Sequence, residues 1–120
     1  MNHDLVTYHR IDYKELMKMQ RKVDSIIVRI RNLELRLMEK GFIGDSIWNP
    51  LLELQARLQV RQDGGPWGSW YVVLPTKDCV DLLNKLSKVK TREESNYYLS
   101  LLELPRKKWD PNELVNPKYP

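Results

Sequence analysis

The clearest pattern in the sequence is an apolar heptad between Tyr13 and Lys40. Its apolar side chains follow one another at steps of three and four residues: Leu16, Met19, Val23, Ile26, Ile30, Leu33 and Leu37. This spacing keeps them on one side of an α-helix, as in a coiled coil. Asp12 and Glu15 form a capping box before the helix, and Gly41 is placed to end it. The sequence therefore predicts a long amphipathic helix over residues 13–40.

The length of this helix bears on how its apolar side, here called the heptad seam, is covered. A helix over 13–40 would be about 42 Å long, whereas a domain of this size has a radius of gyration of only about 14 Å. The seam could pack inside its own chain or join two or more copies, and we favour self-association. A second apolar stripe in the C-terminal half of the helix predicts that this half is covered on two sides: Ile27, Val28, Leu35 and Met38.

Residues 50–62 fit two different patterns. Apolar and polar residues alternate from Leu54 to Arg61, and Gln62–Gly68 supplies turn residues before the β-rich run Ser69–Leu74. This favours a β-hairpin over 53–74, with a second strand that is apolar throughout and covered on both faces. The alternative is a helix from Asn49–Pro50 to Gln62, and Leu5–Ile11 would then be the partner strand of residues 70–74.

The C-terminal third predicts two short helices followed by a tail. Pro75 ends the strand, Thr76 can cap a helix over 77–88, and Thr91 begins a capping box for a helix over 92–103. Together these elements predict a single α+β domain over 1–104. Residues 105–120 form a basic, Pro-rich tail.

The positive charge is concentrated in the long helix. The chain has 20 Lys and Arg against 16 Asp and Glu, a net charge of +4. Between Tyr13 and Lys40 there are eight basic and four acidic residues, so the rest of the chain is neutral. A basic flank on a self-associating helix suits nucleic acid, DNA or RNA, because phosphate contacts release counterions. The candidate contacts are Lys18, Lys22, Arg29, Arg31, Arg36, Arg57, Arg61, Arg106, Lys107 and Lys108.

The tryptophans support an alternative function. Trp67 and Trp70 lie in and after the predicted turn, and Trp109 follows the basic run of the tail. Large aromatic side chains are typical anchors of protein interfaces. The chain could therefore be a protein-binding module, such as an assembly factor, adaptor or inhibitor, that docks on a larger partner through these residues.

The residue types argue against an enzyme. The glycines at 64–68 lack the Lys and the helix signals of a phosphate-binding loop, and Cys79 lies on an apolar helix face as a core residue would. Two histidines and one cysteine do not form a zinc pattern. We expect no catalytic residues, no metal and no cofactor. The longest apolar run has five residues, so we expect no membrane partner and a cytoplasmic location.

Overall fold

The fold is α+β, as the sequence predicts. The structure is a computed structural model that describes residues 5–44, 49–62 and 68–102. Its elements follow in the order β1 (Val6–Ile11), a 3₁₀ turn (Tyr13–Glu15), α1 (Leu16–Glu39), α2 (Pro50–Arg57), β2 (Val60–Gln62), β3 (Trp70–Pro75), α3 (Lys77–Leu86) and α4 (Arg92–Leu101). The tail predicted at 105–120 lies outside the described residues.

The long helix and its two ends agree with the sequence prediction. The turn and α1 together cover residues 13–39. The capping box at the start is present, since the Asp12 amide donates to the Glu15 carboxylate and the Asp12 side chain accepts from the Glu15 amide. At the other end Gly41 has φ +70°, the left-handed conformation that glycine adopts without strain. The Phe42 amide then donates to the Leu37 carbonyl at 2.8 Å and closes the last turn.

A three-stranded antiparallel sheet has β3 at its centre and β1 and β2 at its edges. β1 pairs with β3 along its whole length, starting with Val6 opposite Pro75, whereas the short β2 pairs from Val60 opposite Val72. Adjacent strand residues point to opposite faces, and both Val72 and Val73 are buried. The prediction that this strand is covered on both faces is confirmed at its centre.

The predicted hairpin over 53–74 is confirmed only in part: Val60–Gln62 pairs antiparallel with β3, but residues 53–57, which were to form most of its first strand, belong to α2. The Asn49 side chain accepts a hydrogen bond from the Leu52 amide at 2.9 Å, and Pro50 occupies the first helical position. The helix and the turn that follows it bury three leucine side chains: Leu51, Leu54 and Leu58. The alternative prediction, a helix here with the N-terminal segment as the partner of β3, is confirmed in both parts, although α2 ends sooner.

The two C-terminal helices begin where the sequence predicts. The Thr76 hydroxyl accepts from the Cys79 amide at 3.3 Å, and the Thr91 hydroxyl accepts from the Glu94 amide at 3.1 Å. α4 is tied to the end of α1 by the buried Ser95 hydroxyl, which donates to the Phe42 carbonyl at 2.9 Å. None of the helices in the described ranges combines the length and the apolar character that a bilayer crossing requires.

The heptad seam faces the chain's own core, which corrects the interpretation that it joins copies of the chain. Four seam residues are almost inaccessible: Val23, Ile30, Leu33 and Leu37. The other three are half-buried and pack against the same core: Leu16, Met19 and Ile26. A coiled-coil seam must be free to receive a second helix. Most of this seam is covered by the chain itself, and one margin of it, at Ile26, Ile30 and Leu33, borders the groove described below.

The second stripe on α1 is also placed differently from its prediction. Ile27 is half-buried and packs against the core. The remaining members are exposed, with relative accessibilities of 51% for Val28, 51% for Leu35 and 39% for Met38. The C-terminal half of α1 is therefore covered on one side, and its outer face is apolar and open.

Candidate binding groove beside the long helix

An open groove of about 560 Å³ lies between α1 and α3. Its apolar lining comes from both helices and from the end of β3: Ile26, Ile30, Leu33, Pro75, Val80 and Leu83. Amide and hydroxyl groups also line it: Ser25, Asn32, Asn84 and Ser87. In the part of the chain that the structure describes, no carboxylate lines this groove. Apolar walls with a few polar groups are typical of binding sites.

One side of the groove is basic. Lys22, Arg29 and Arg36 all line it and are exposed. They repeat every seven residues, so they lie in a line along α1 at intervals of about 10.5 Å. Lys18 is exposed as well and continues the line one turn earlier. We call these four residues the basic row. The opposite wall of the groove, from α3, presents neutral groups.

The remaining basic residues that the sequence assigned to nucleic acid do not join this row. Arg31 is exposed, but it is two residues from Arg29 and so points about 200° away around the helix. Arg61 lies on the edge strand β2 and is half-buried opposite Tyr71. Tyr71 in turn lies opposite Arg10 of β1, so the sheet holds an Arg-Tyr-Arg row that sequence reasoning missed because β1 was not the favoured partner. Arg106, Lys107 and Lys108 lie outside the described residues.

Arg57 is a structural residue, which corrects its assignment to a nucleic-acid surface. It is only 8% exposed, and its Nη2 lies 3.6 Å from Oε1 of Glu53, which is 4% exposed. The assignment assumed an extended strand with Arg57 on the wet face. In the helix, residues i and i+4 lie side by side, so both charges face the interior together.

The proposed docking tryptophans are only partly described. Trp70 is half-buried and packs against the core, as a core residue of β3 does. Trp67 and Trp109 lie outside the described residues.

The apolar groove wall from α3 could not be found from spacing along one helix, since it depends on how α1 and α3 are placed in three dimensions.

Cys79 is fully buried, which confirms its assignment to the core. Burial raises the pKa of its thiol from 9.0 to about 12, because the interior disfavours the thiolate. We expect a thiol reagent at pH 8 to label the native protein at least about 100-fold more slowly than the denatured protein. Because the unfolded thiol ionises first, this residue's contribution to stability should fall as pH rises from about 9 toward 12. Labelling time courses and a Cys79→Ala control measure both effects, and rapid native labelling would contradict the prediction.

Among the residues that the structure describes, no three metal-ligating side chains come together. Comparison with known proteins gives no match: no family model fits the chain, and neither a curated protein nor a solved structure is significantly similar to it. The groove and the charges beside it are therefore the features of this chain that bear on its function.

Proposed function

We propose that this chain is a non-enzymatic binding protein whose groove between α1 and α3 receives an acidic amphipathic helix of a partner protein. The observation that supports this most is the combination of an apolar floor with three basic side chains, Lys22, Arg29 and Arg36, along one edge. The lining offers amides, hydroxyls and cations, which suit binding. In the described part of the chain it includes no carboxylate, imidazole or thiol for acid–base or nucleophilic chemistry.

The spacing of the groove suits a helix in particular. A partner helix buries apolar side chains at intervals of three and four residues in such a groove. Three cations at intervals of about 10.5 Å match acidic side chains placed every seven residues on one flank of that helix. The chain's own segment 103–120 has four basic and three acidic residues, so its charge does not complement the basic edge. The charge of a separate, acidic chain does complement this edge.

The same basic row also supports the second candidate function, which is nucleic-acid binding. Lys18, Lys22, Arg29 and Arg36 lie in a line of about 27 Å on α1, and all four are exposed. Phosphate binding requires only such cations, so the apolar floor of the groove would have no role in binding nucleic acid. Because Arg57 is buried and the heptad seam is largely covered by the chain itself, neither the charge of Arg57 nor pairing through the seam adds to the row.

The first test measures fluorescence anisotropy with a labelled 20-residue peptide helix that has apolar residues at steps of three and four and Glu at every seventh position. We expect micromolar binding. Reversing the central cation by Arg29→Glu should weaken it about tenfold, because attraction becomes repulsion. Arg31→Glu is the matched control, since it makes the same change on the other flank of the same helix and should leave peptide affinity within about twofold.

A second titration with DNA and RNA separates the two candidates. If the peptide is bound, a Lys-for-Glu version of it should bind at least about tenfold more weakly. If nucleic acid binds more tightly than the peptide, and its affinity falls steeply as salt rises, phosphate recognition replaces the proposed function. If Arg29→Glu and Arg31→Glu weaken binding equally, neither the peptide nor the nucleic acid is bound at the basic row.

A further inference from the structure

The outer face of α1 has a second, more sparsely apolar heptad. Its members are Met17, Asp24, Val28, Arg31, Leu35 and Met38, and they fall within an arc of about 80° around the helix. The apolar ones are open to solvent, from 39% for Met38 to 65% for Met17. This outer stripe lies opposite the buried heptad seam and on a different flank from the groove. It is therefore independent of the proposed function.

We propose that the outer stripe pairs two copies of the chain, with their α1 helices antiparallel about a two-fold axis at Val28. The charges on the stripe select this partner and this direction. Asp24 lies four residues before Val28, and Arg31 lies three residues after it. An antiparallel second copy therefore places each Asp24 beside Arg31 of the other copy, so that two ion pairs form across one axis.

The two methionines fit the same axis. Met17 is eleven residues before Val28 and Met38 is ten residues after it, so each Met17 meets Met38 of the second copy. A parallel arrangement would instead place Asp24 against Asp24 and Arg31 against Arg31, which like charges disfavour. The Gln20 side chain donates to Oδ1 of Asp24 at 3.0 Å, which leaves Oδ2 for the guanidinium of the second copy.

The size of the stripe predicts a weak dimer. Four apolar side chains along one helix bury less than the roughly 1,600 Å² of a standard interface. We therefore expect a dissociation constant between about 10 µM and 1 mM. In sedimentation equilibrium the average mass should rise from 14.3 kDa toward twice that value across this range of concentration.

A charge-swap experiment tests both the interface and its direction. Asp24→Arg alone and Arg31→Asp alone should each weaken dimerisation at least about tenfold, because each places like charges together. The double variant restores opposite charges and should return the dissociation constant to within about threefold of the original. Glu93→Ala, which removes an exposed carboxylate from α4 instead of α1, is the control and should leave the dimer intact.

Crosslinking locates the axis. Val28→Cys should be joined to itself by a short thiol-reactive crosslinker, whereas Ser25→Cys, which faces the groove, should not. The native Cys79 is buried and should not react with the crosslinker in folded protein. The stripe is exposed, so circular dichroism should show native folding for every variant. A mass that stays at 14.3 kDa up to 1 mM, a double variant as weak as the single ones, or equal crosslinking at both cysteines would overturn the proposal.

Discussion

Replacing Leu37 by alanine is expected to lower the free energy of unfolding by about 2–5 kcal/mol, because the substitution leaves a cavity in the core. Leu37 is 1% exposed although it belongs to a helix long enough to suggest a coiled coil. The matched control is Leu35→Ala, the same change two residues away at a position that is 51% exposed. That control should change stability by no more than about 0.5 kcal/mol.

The two variants also separate the two sides of α1. Urea unfolding measures stability, and sedimentation measures mass. If the heptad seam is internal, Leu37→Ala changes stability and leaves the mass at each concentration unchanged as long as the protein is folded. Leu35→Ala should leave stability nearly unchanged and weaken the dimer. A stable Leu37→Ala variant with altered self-association would return the heptad seam to the role of a coiled-coil interface.

The second large effect concerns the ion pair inside α2. Glu53→Ala should destabilise the protein by about 3–5 kcal/mol, because it removes the carboxylate that lies 3.6 Å from the buried Arg57 guanidinium. The two side chains are 4% and 8% exposed, so water cannot replace the lost partner. Glu39→Ala removes an exposed carboxylate from the end of α1 and should cost less than about 0.5 kcal/mol.

The double variant Glu53→Met with Arg57→Leu completes this test. Removing both charges in favour of apolar side chains of similar volume should recover most of the loss, since neither charge remains to be desolvated. Chemical unfolding of the two single variants and the double variant gives a cycle that should be non-additive by at least about 1 kcal/mol. Additive losses would mean that the two side chains act independently and that the 3.6 Å contact carries no energy.

The parts of the fold that the sequence predicted are those set by local signals. α3, α4 and the turn that leads into α1 begin at capping residues, Thr76, Thr91 and Asp12, whose hydrogen bonds are made within a few residues. Residues 54–61 satisfy both a strand and a helix pattern. The choice between them depended on the Asn49–Pro50 start and on the need of Leu54 and Leu58 to reach the core, which is a tertiary requirement.

The candidate site could be predicted only in part for the same reason. The basic row follows from helical spacing, and its four members are exposed on one side of α1, while their role in binding stays a prediction. Arg57 was placed on the wrong surface, because a strand and a helix place it on different surfaces. The wall formed by Val80 and Leu83 depends on the packing of distant segments, and sequence spacing contains no information about it.

The sheet places an unusual demand on the order in which the chain folds. Within the described residues β1 pairs only with β3, so residues 12–69 must be enclosed as a loop before the edge of the central strand that faces β1 is complete. Closing so long a loop is entropically costly, and such long-range pairing slows folding. During synthesis, β1 and α1 leave the ribosome well before their partner strand exists. We therefore expect a stage of synthesis at which the apolar side of α1 is exposed to solvent. Because of this topology, chaperones should bind the nascent chain at that stage.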